Sequence, residues 1–292
     1  VRRVFVVSAA LGVACAIACE SRYYANDAPD AGDAATDSSG DDAPVANDGG
    51  ADSALDADAG PPACDETADA TNTFCETFDH VDAASDLAAR WGGAPTTVGG
   101  ATFDVVSSTF LSPPHAALLT TPAADGGLSP FEAYVAHDIP ASGAVRTMTC
   151  DFDILLDAPD LTPSAFARIF SVVLTPPSGP AATAASALLY LEGGGTLTFY
   201  THGLQTDGGS NPGYAKVGKL TPKAWWHVRV ALRADGIETS FSSASMLGVI
   251  VKVDTVAPPQ VSLATLTLGF VDVGTTTGWR VAFDNLSCTL TP

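Results

Sequence analysis

Positive charge is scarce in this chain: 13 lysines and arginines stand against 33 aspartates and glutamates, for a formal net charge of −20. So acidic a chain has no electrostatic footprint for phosphate backbones, which excludes nucleic acid as a partner, and it has no attraction for anionic lipid surfaces. A membrane-spanning apolar run is missing at the N-terminus, where Val4 to Ala18 falls short of the ~20 residues that a helix needs to cross a bilayer. No Cys-x-x-Cys and no close Cys/His pair occurs, which removes a zinc site. A Gly-x-Ser-x-Gly elbow is absent too, and His80, His115, His137, His202 and His227 form no close ligand pair. Helical periodicity is confined to one short segment, Val81 to Arg90.

Three compositional regions are present. Residues 1–18 carry Arg2 and Arg3, an apolar stretch and the small residues Ala16-Ile17-Ala18 ahead of Cys19. This resembles a bacterial lipoprotein signal peptide, with Ala16 where leucine is commonest. The resemblance implies lipidation at Cys19 and a protein held at the cell envelope, in the periplasm or on the cell surface. Cys15 is a competing site, but it would leave apolar Ala16 to Ala18 on the mature chain. Residues 19–63 form the second region. From Glu20 to Ala63 the chain is built almost wholly of Asp, Ala, Gly, Ser and Pro, with Arg22 alone opposing its aspartates. Such a segment has too little apolar surface to offset an ordering entropy of about 1–2 kcal/mol per residue, so a disordered, self-repelling spacer is expected. Asp56-Ala-Asp58-Ala-Gly60 lacks the third oxygen ligand and the closing Glu of an EF-hand loop.

Residues 64–292 are long enough for one large β-sandwich or barrel. Four cysteines fall here, Cys64, Cys75, Cys150 and Cys288, an even number that favours disulfides in an exported chain. Three pairings are open. The short spacing of Cys64 and Cys75 suggests a local clip, leaving Cys150 with Cys288. Met148, Cys150, Phe152 and Ile154 alternate onto one strand face, and Leu286, Cys288 and Leu290 onto another, so both thiols are expected to point inward. Strand signals run through Thr73–Phe78, Thr102–Ser107, Ala116–Thr120, Glu132–Ile139, Arg146–Leu156, Ala167–Thr175, Ser186–Glu192, Thr196–His202, Trp225–Ala234, Ile237–Ser242, Leu247–Val253, Leu263–Asp272 and Trp279–Leu290. Glycine-rich turns separate them, and Gly193-Gly194-Gly195 reads as a hairpin turn. The expected fold is all-β and antiparallel.

The ends of this region carry a family resemblance. Phe74-Cys-Glu-Thr-Phe78-Asp79 with Trp91, then Trp225-Trp-His-Val-Arg-Val230, then Val281-Ala-Phe-Asp-Asn-Leu286 as a closing strand resemble concanavalin A-like domains, which include laminin G-like modules, legume-type lectins and family 16 glucanases. The resemblance implies a two-sheet jelly-roll sandwich over most of residues 73–290. Its glucanase branch carries a Glu-x-Asp-x-Glu strand, which Asp151-Phe-Asp153-Ile-Leu-Leu-Asp157 matches only loosely. Asp151, Asp153 and Asp157 share a face, but Leu155 interrupts them and both glutamates are missing.

On Trp225 to Ala234, alternation sends Trp226, Val228, Val230 and Leu232 one way and Trp225, His227, Arg229 and Arg233 the other. A tryptophan beside cations suits a glycan, and it equally suits packing under loops. The jelly-roll resemblance further implies a structural calcium held by Glu76 or Asp79 with Asp284. Read by alternation, Asp284 shares its face with Ala282, Leu286 and Cys288, so its carboxylate faces the core and needs a cation, an arginine such as Arg280, or backbone N–H donors. The sequence-based expectation is a surface lipoprotein with a non-catalytic head that binds a polysaccharide or extracellular matrix through Trp225, His227 and Arg229. Its alternatives are a polysaccharide hydrolase or lyase with atypical residues and a structural envelope protein.

Overall fold

A strand that buries one side alternates apolar and polar residues, and this pattern organises the chain throughout. The computed structural model describes residues 72–81, 84–122, 131–141, 147–158, 165–177, 184–202, 204–205, 213–233, 236–243, 246–253, 255–256, 260–271 and 278–291. The signal-like segment, Cys19, the acidic spacer and Cys64 lie outside the described residues.

The elements in order are β1 (Thr73–Glu76), α1 (Ala84–Trp91), β2 (Thr96–Val98), β3 (Thr102–Val106), β4 (Ala116–Thr120), β5 (Glu132–Pro140), β6 (Thr147–Ala158), β7 (Phe166–Thr175) and β8 (Ala185–Glu192). There follow β9 (Thr196–His202), β10 (Leu204–Gln205), β11 (Gly213–Lys219), β12 (Trp225–Arg233), β13 (Gly236–Ser243), β14 (Met246–Val253), β15 (Thr255–Val256), β16 (Leu263–Val271) and β17 (Arg280–Thr291). An eight-stranded sheet runs β14-β13-β12-β6-β17-β4-β3, with β1 also on β17, and a seven-stranded sheet runs β11-β9-β8-β7-β16-β5-β2. Both are antiparallel, and the fold is a jelly-roll sandwich.

Each strand expected from the sequence is present, while β2, β10, β11 and β15 are additions. β11 escapes pattern reading because Gly-Tyr-Ala-Lys-Val-Gly-Lys is poor in strand formers. It holds as an edge strand on β9, where lysines are well placed to blunt an exposed edge. The glycine triplet does turn β8 into β9. Gly195, at φ +87°, has Leu156 Cδ2 at 2.8 Å and the Leu220 carbonyl at 3.1 Å from where a Cβ would sit, so a side chain there would collide.

The inner faces of the two sheets share one core, to which β6 sends Met148, Cys150, Phe152, Ile154 and Leu156, and β16 sends Leu266, Leu268 and Phe270. Each large side chain so buried contributes about 1.5–3 kcal/mol. Cys150 and Cys288 are disulfide-bonded within this core, between paired positions of β6 and β17. Cys75 is disulfide-bonded as well.

β17 departs from simple alternation. Val281 and Phe283 enter the core at odd positions, but Leu286, Cys288 and Leu290 enter it at even ones. The change of phase falls between Asp284, which pairs with Asp153, and Ser287, which pairs with Asp151. Three steps along β17 thus match two along β6, the signature of a β-bulge. Asn285 sits in it at φ +51°, a left-handed conformation that asparagine tolerates better than most residues. The sequence expectation for Asp284 is corrected accordingly: it lies on the side of Asp153 and away from Leu286 and Cys288.

Candidate functional site

The β6–β12 ladder is unbroken from Trp225↔Leu155 to Leu232↔Met148, and it places His227 opposite Asp153 and Arg229 opposite Asp151. Two groups singled out separately in the sequence therefore meet on the outer side of the eight-stranded sheet. The His227 ring lies between the two carboxylates, with Nδ1 at 3.0 Å from Asp153 Oδ1 and Nε2 at 3.2 Å from Asp151 Oδ1. Arg229 Nε donates to the same Asp151 oxygen at 2.7 Å. Asp151 and Asp153 are buried, whereas the His227 side chain is 33% exposed and that of Arg229 50%. The carboxylates form a floor, and the cations are within reach of a ligand.

β17 completes the cluster through its bulge. Asn285 Nδ2 donates to Asp153 Oδ2 at 2.9 Å, and Ser112 Oγ donates to Asn285 Oδ1 at 2.9 Å. Asp284 is fully buried. Its Oδ2 accepts from the backbone N–H groups of Leu111 and Ser112 at 2.8 and 2.9 Å, and its Oδ1 from the Asn285 N–H at 2.8 Å and the Ser112 hydroxyl at 3.2 Å. The β3–β4 connection is thereby tied to β17 at its bulge.

Electrostatics divide these groups. Hydrogen bonds to Asp151 and then Asp153 outweigh the burial that opposes a charge on His227, and its pKa rises to about 9. At neutral pH the ring is an imidazolium. Burial works to raise the Asp151 carboxyl, but hydrogen bonds from His227 and Arg229 prevail and hold it below the ordinary value. For Asp284 burial prevails over its N–H donors, and the carboxyl is pushed up to about 6.

Trp225 is half-buried at the next position along β12. It packs on a small apolar group of Leu118, Leu155 and Ala282, separate from the main core. Trp226, its neighbour, is core. Asp157 stands apart from Asp151 and Asp153, ion-paired to Lys223 and, at 2.9 Å, to Arg280 Nε. The residues expected to hold calcium each have N–H partners. Glu76 is fully buried and accepts from the Phe78 N–H at 2.9 Å, Arg90 Nε at 3.1 Å and Trp91 Nε1 at 3.2 Å, which pins α1 to β1. Asp79 accepts from the His115 N–H at 3.3 Å. N–H donors thus stand where the sequence asks for a cation, and among the described residues no group of three His, Cys, Asp or Glu is arranged to hold a metal.

Asn285 and Ser112 are the members of the site that sequence reasoning misses. A left-handed asparagine inside a strand leaves no mark on hydrophobic alternation, and Ser112 lies in a connection more than 170 residues from its partners.

No protein-family profile matches the sequence, and no curated protein does. Solved structures share the fold. An endo-β-1,4-glucuronan lyase from the fungus Trichoderma reesei superposes with a TM-score of 0.52 at 14% identity, covering 75% of this chain and 94% of that one. The alginate lyase from Klebsiella pneumoniae gives 0.48 at 10% identity, over 75% and 95% of the two chains. The expectation of a non-catalytic binding head is corrected on the likeness to the glucuronan lyase. That expectation leaned on the missing carboxylate pair of a hydrolase, and a lyase cleaves by elimination, for which such a pair is not required.

Proposed function

We propose that the chain is a polysaccharide lyase acting on a uronate-containing polymer, with His227, Arg229 and Trp225 as its substrate-contacting residues. The observation that carries this reading is the clamped imidazole of His227 beside a half-exposed guanidinium, on a fold shared with a glucuronan lyase.

Elimination at a uronate breaks the C5–H and C4–O4 bonds and forms a C4=C5 double bond, and the C5 proton ends on the departing oxygen. The C5 proton is acidic only when the neighbouring carboxylate is neutralised, and a guanidinium does that by paired hydrogen bonds. Arg229 supplies it. His227, in the fraction that has lost its proton, takes the C5 proton as base and hands it to O4 as the chain breaks. Asp151 and Asp153 orient the ring and stabilise the imidazolium formed in between. Trp225, backed by Leu118, Leu155 and Ala282, offers an indole to the apolar C–H groups of the adjacent sugar. Because the resting ring is protonated up to about pH 9, activity is expected to rise with pH through that value.

Residues 64–292 incubated with glucuronan, alginate and neutral glucans should release oligosaccharides with an ultraviolet-absorbing unsaturated end from a uronate polymer and from none of the neutral ones. Reducing ends without unsaturation would reassign the reaction to hydrolysis, and no cleavage of any uronate polymer would remove the reading. Anchoring of this domain at the cell envelope through Cys19 is a separate proposal, supported by the small residues and apolar stretch ahead of that cysteine. It is tested by detergent-phase partitioning that Cys19→Ala should abolish.

A further inference from the structure

A base flanked by two carboxylates poses a problem that elimination alone does not solve: on losing one proton, the ring retains a single N–H for two anionic acceptors. The surroundings are unequal. Asp151 Oδ1, on the Nε2 side at 3.2 Å, already accepts the 2.7 Å charge-assisted bond from Arg229, which makes it the poorer acceptor. Asp153 Oδ1, on the Nδ1 side, is nearer at 3.0 Å, and its second oxygen is fixed by the Asn285 amide.

Asparagine is suited to that place for three physical reasons. It tolerates the φ of +51° that the bulge imposes. Its amide has a donor for Asp153 and an acceptor for the Ser112 hydroxyl at the same time. The amide cannot turn over, because a flipped Oδ1 would face the Asp153 carboxylate. Bulges recur where a strand must re-aim one side chain, and here the extra residue brings an amide against the carboxylate that holds the imidazole.

We propose that Asn285 is a positioning residue that fixes the tautomer of His227: by holding Asp153, it keeps the remaining proton on Nδ1, so that Nε2, on the side of Asp151 and Arg229, is the nitrogen that gives up and regains its proton. The charged groups facing the ring are Asp151 and Asp153 from β6 and Arg229 from its own strand, while β13 presents Ser242 opposite it and β17 reaches it through Asn285 with Asp284 behind. Ser112 extends the chain of bonds to the β3–β4 connection, so the position of that connection is coupled to the ring.

The catalytic consequence rests on the lyase reading; the tautomer does not. Nitrogen-15 NMR of the full chain labelled at histidine, at a pH above the His227 transition, reads the tautomer directly. In the wild type the neutral ring should be the Nδ1–H form. Asn285→Gly keeps the left-handed backbone and removes the amide; Asn285→Asp keeps the volume and replaces the donor by an acceptor. Both should give a mixture with the Nε2–H form, with unchanged circular dichroism, and should lower kcat by up to about 100-fold with little change in KM. An Nε2–H ring in the wild type, or an unaltered Nδ1–H ring in both folded variants, would overturn the proposal whatever the activity. An Nδ1–H ring that shifts as described in a chain without lyase activity would uphold Asn285 as the positioning residue and remove the lyase reading alone.

Discussion

Strand β6 has two neighbours, and they meet it differently. On the β12 side eight consecutive pairs run without a break, and everything that matters there, Trp225, His227 and Arg229 opposite Leu155, Asp153 and Asp151, follows from counting by twos. On the β17 side the register shifts twice, once at Arg280/Val281 and once at Asp284/Ser287. The regular side presents the groups to which the proposed reaction is assigned. The irregular side, through the second shift, supplies the residue that holds them. A ladder that obeys alternation can offer a row of side chains to a ligand, but aiming one amide at a carboxylate on the neighbouring strand needs an extra residue.

Loss of the disulfide should break the irregular side most severely. Cys150 and Cys288 join β6 to β17 across 138 residues of sequence, just beyond the bulge. Cys288→Ser is expected to cost about 2–5 kcal/mol in urea unfolding, and a loss below 0.5 kcal/mol would show that the ladder holds without it. A smaller effect of the same kind tests the bulge itself. Asn285→Val forces a β-branched side chain into the left-handed region and should cost about 1–2 kcal/mol, while Asn285→Gly should leave unfolding nearly unchanged. Equal losses in the two variants would mean that the side-chain bonds, and not the backbone, sustain the bulge.

On the regular side, Trp225→Ala should raise KM roughly five- to tenfold, about 1 kcal/mol, with kcat preserved. A drop in kcat at constant KM would move Trp225 from binding to catalysis. The two sides should also separate by pH. His227, raised from 6.5 to about 9, contributes stability that is complete below 6.5 and is lost as pH rises through about 9. Asp284, raised from 3.8 to about 6, ionises at a cost, so stability falls as pH rises from about 4 to 6. Asp151, held below its ordinary 3.8, acts in the opposite direction only at more acidic pH. The melting temperature should therefore decline in two windows, the lower flattened by Asp284→Asn and the upper by His227→Gln. A single window removed by either variant would show that the two sides titrate as one.

The same contrast explains what the sequence discloses. Alternation in Met148, Cys150, Phe152 and Ile154 and in Leu286, Cys288 and Leu290 is enough to bring the two cysteines together in the core. It is likewise enough to separate Trp226 from Trp225. It fails at Asp284, because one inserted residue reverses the count, and the carboxylate read as facing the core lies beside Asp153. The argument that Asp284 needs a cation follows from that misplacement, since its oxygens accept from the N–H groups of Leu111, Ser112 and Asn285. The β6 aspartates look like remnants of a hydrolase pair until the ladder shows His227 between them. Pairing partners across strands are long-range facts, and local pattern does not carry them.

The pH–rate profile of unsaturated-product release from a uronate polymer, for the wild type and His227→Ala, tests the proposed mechanism most directly. With His227 as base, wild-type kcat should rise through an apparent pKa near 9, and the variant should lose about 10²–10⁴-fold in kcat along with that dependence. A folded His227→Ala variant that releases unsaturated product at the wild-type rate, with the same pH profile, would contradict it.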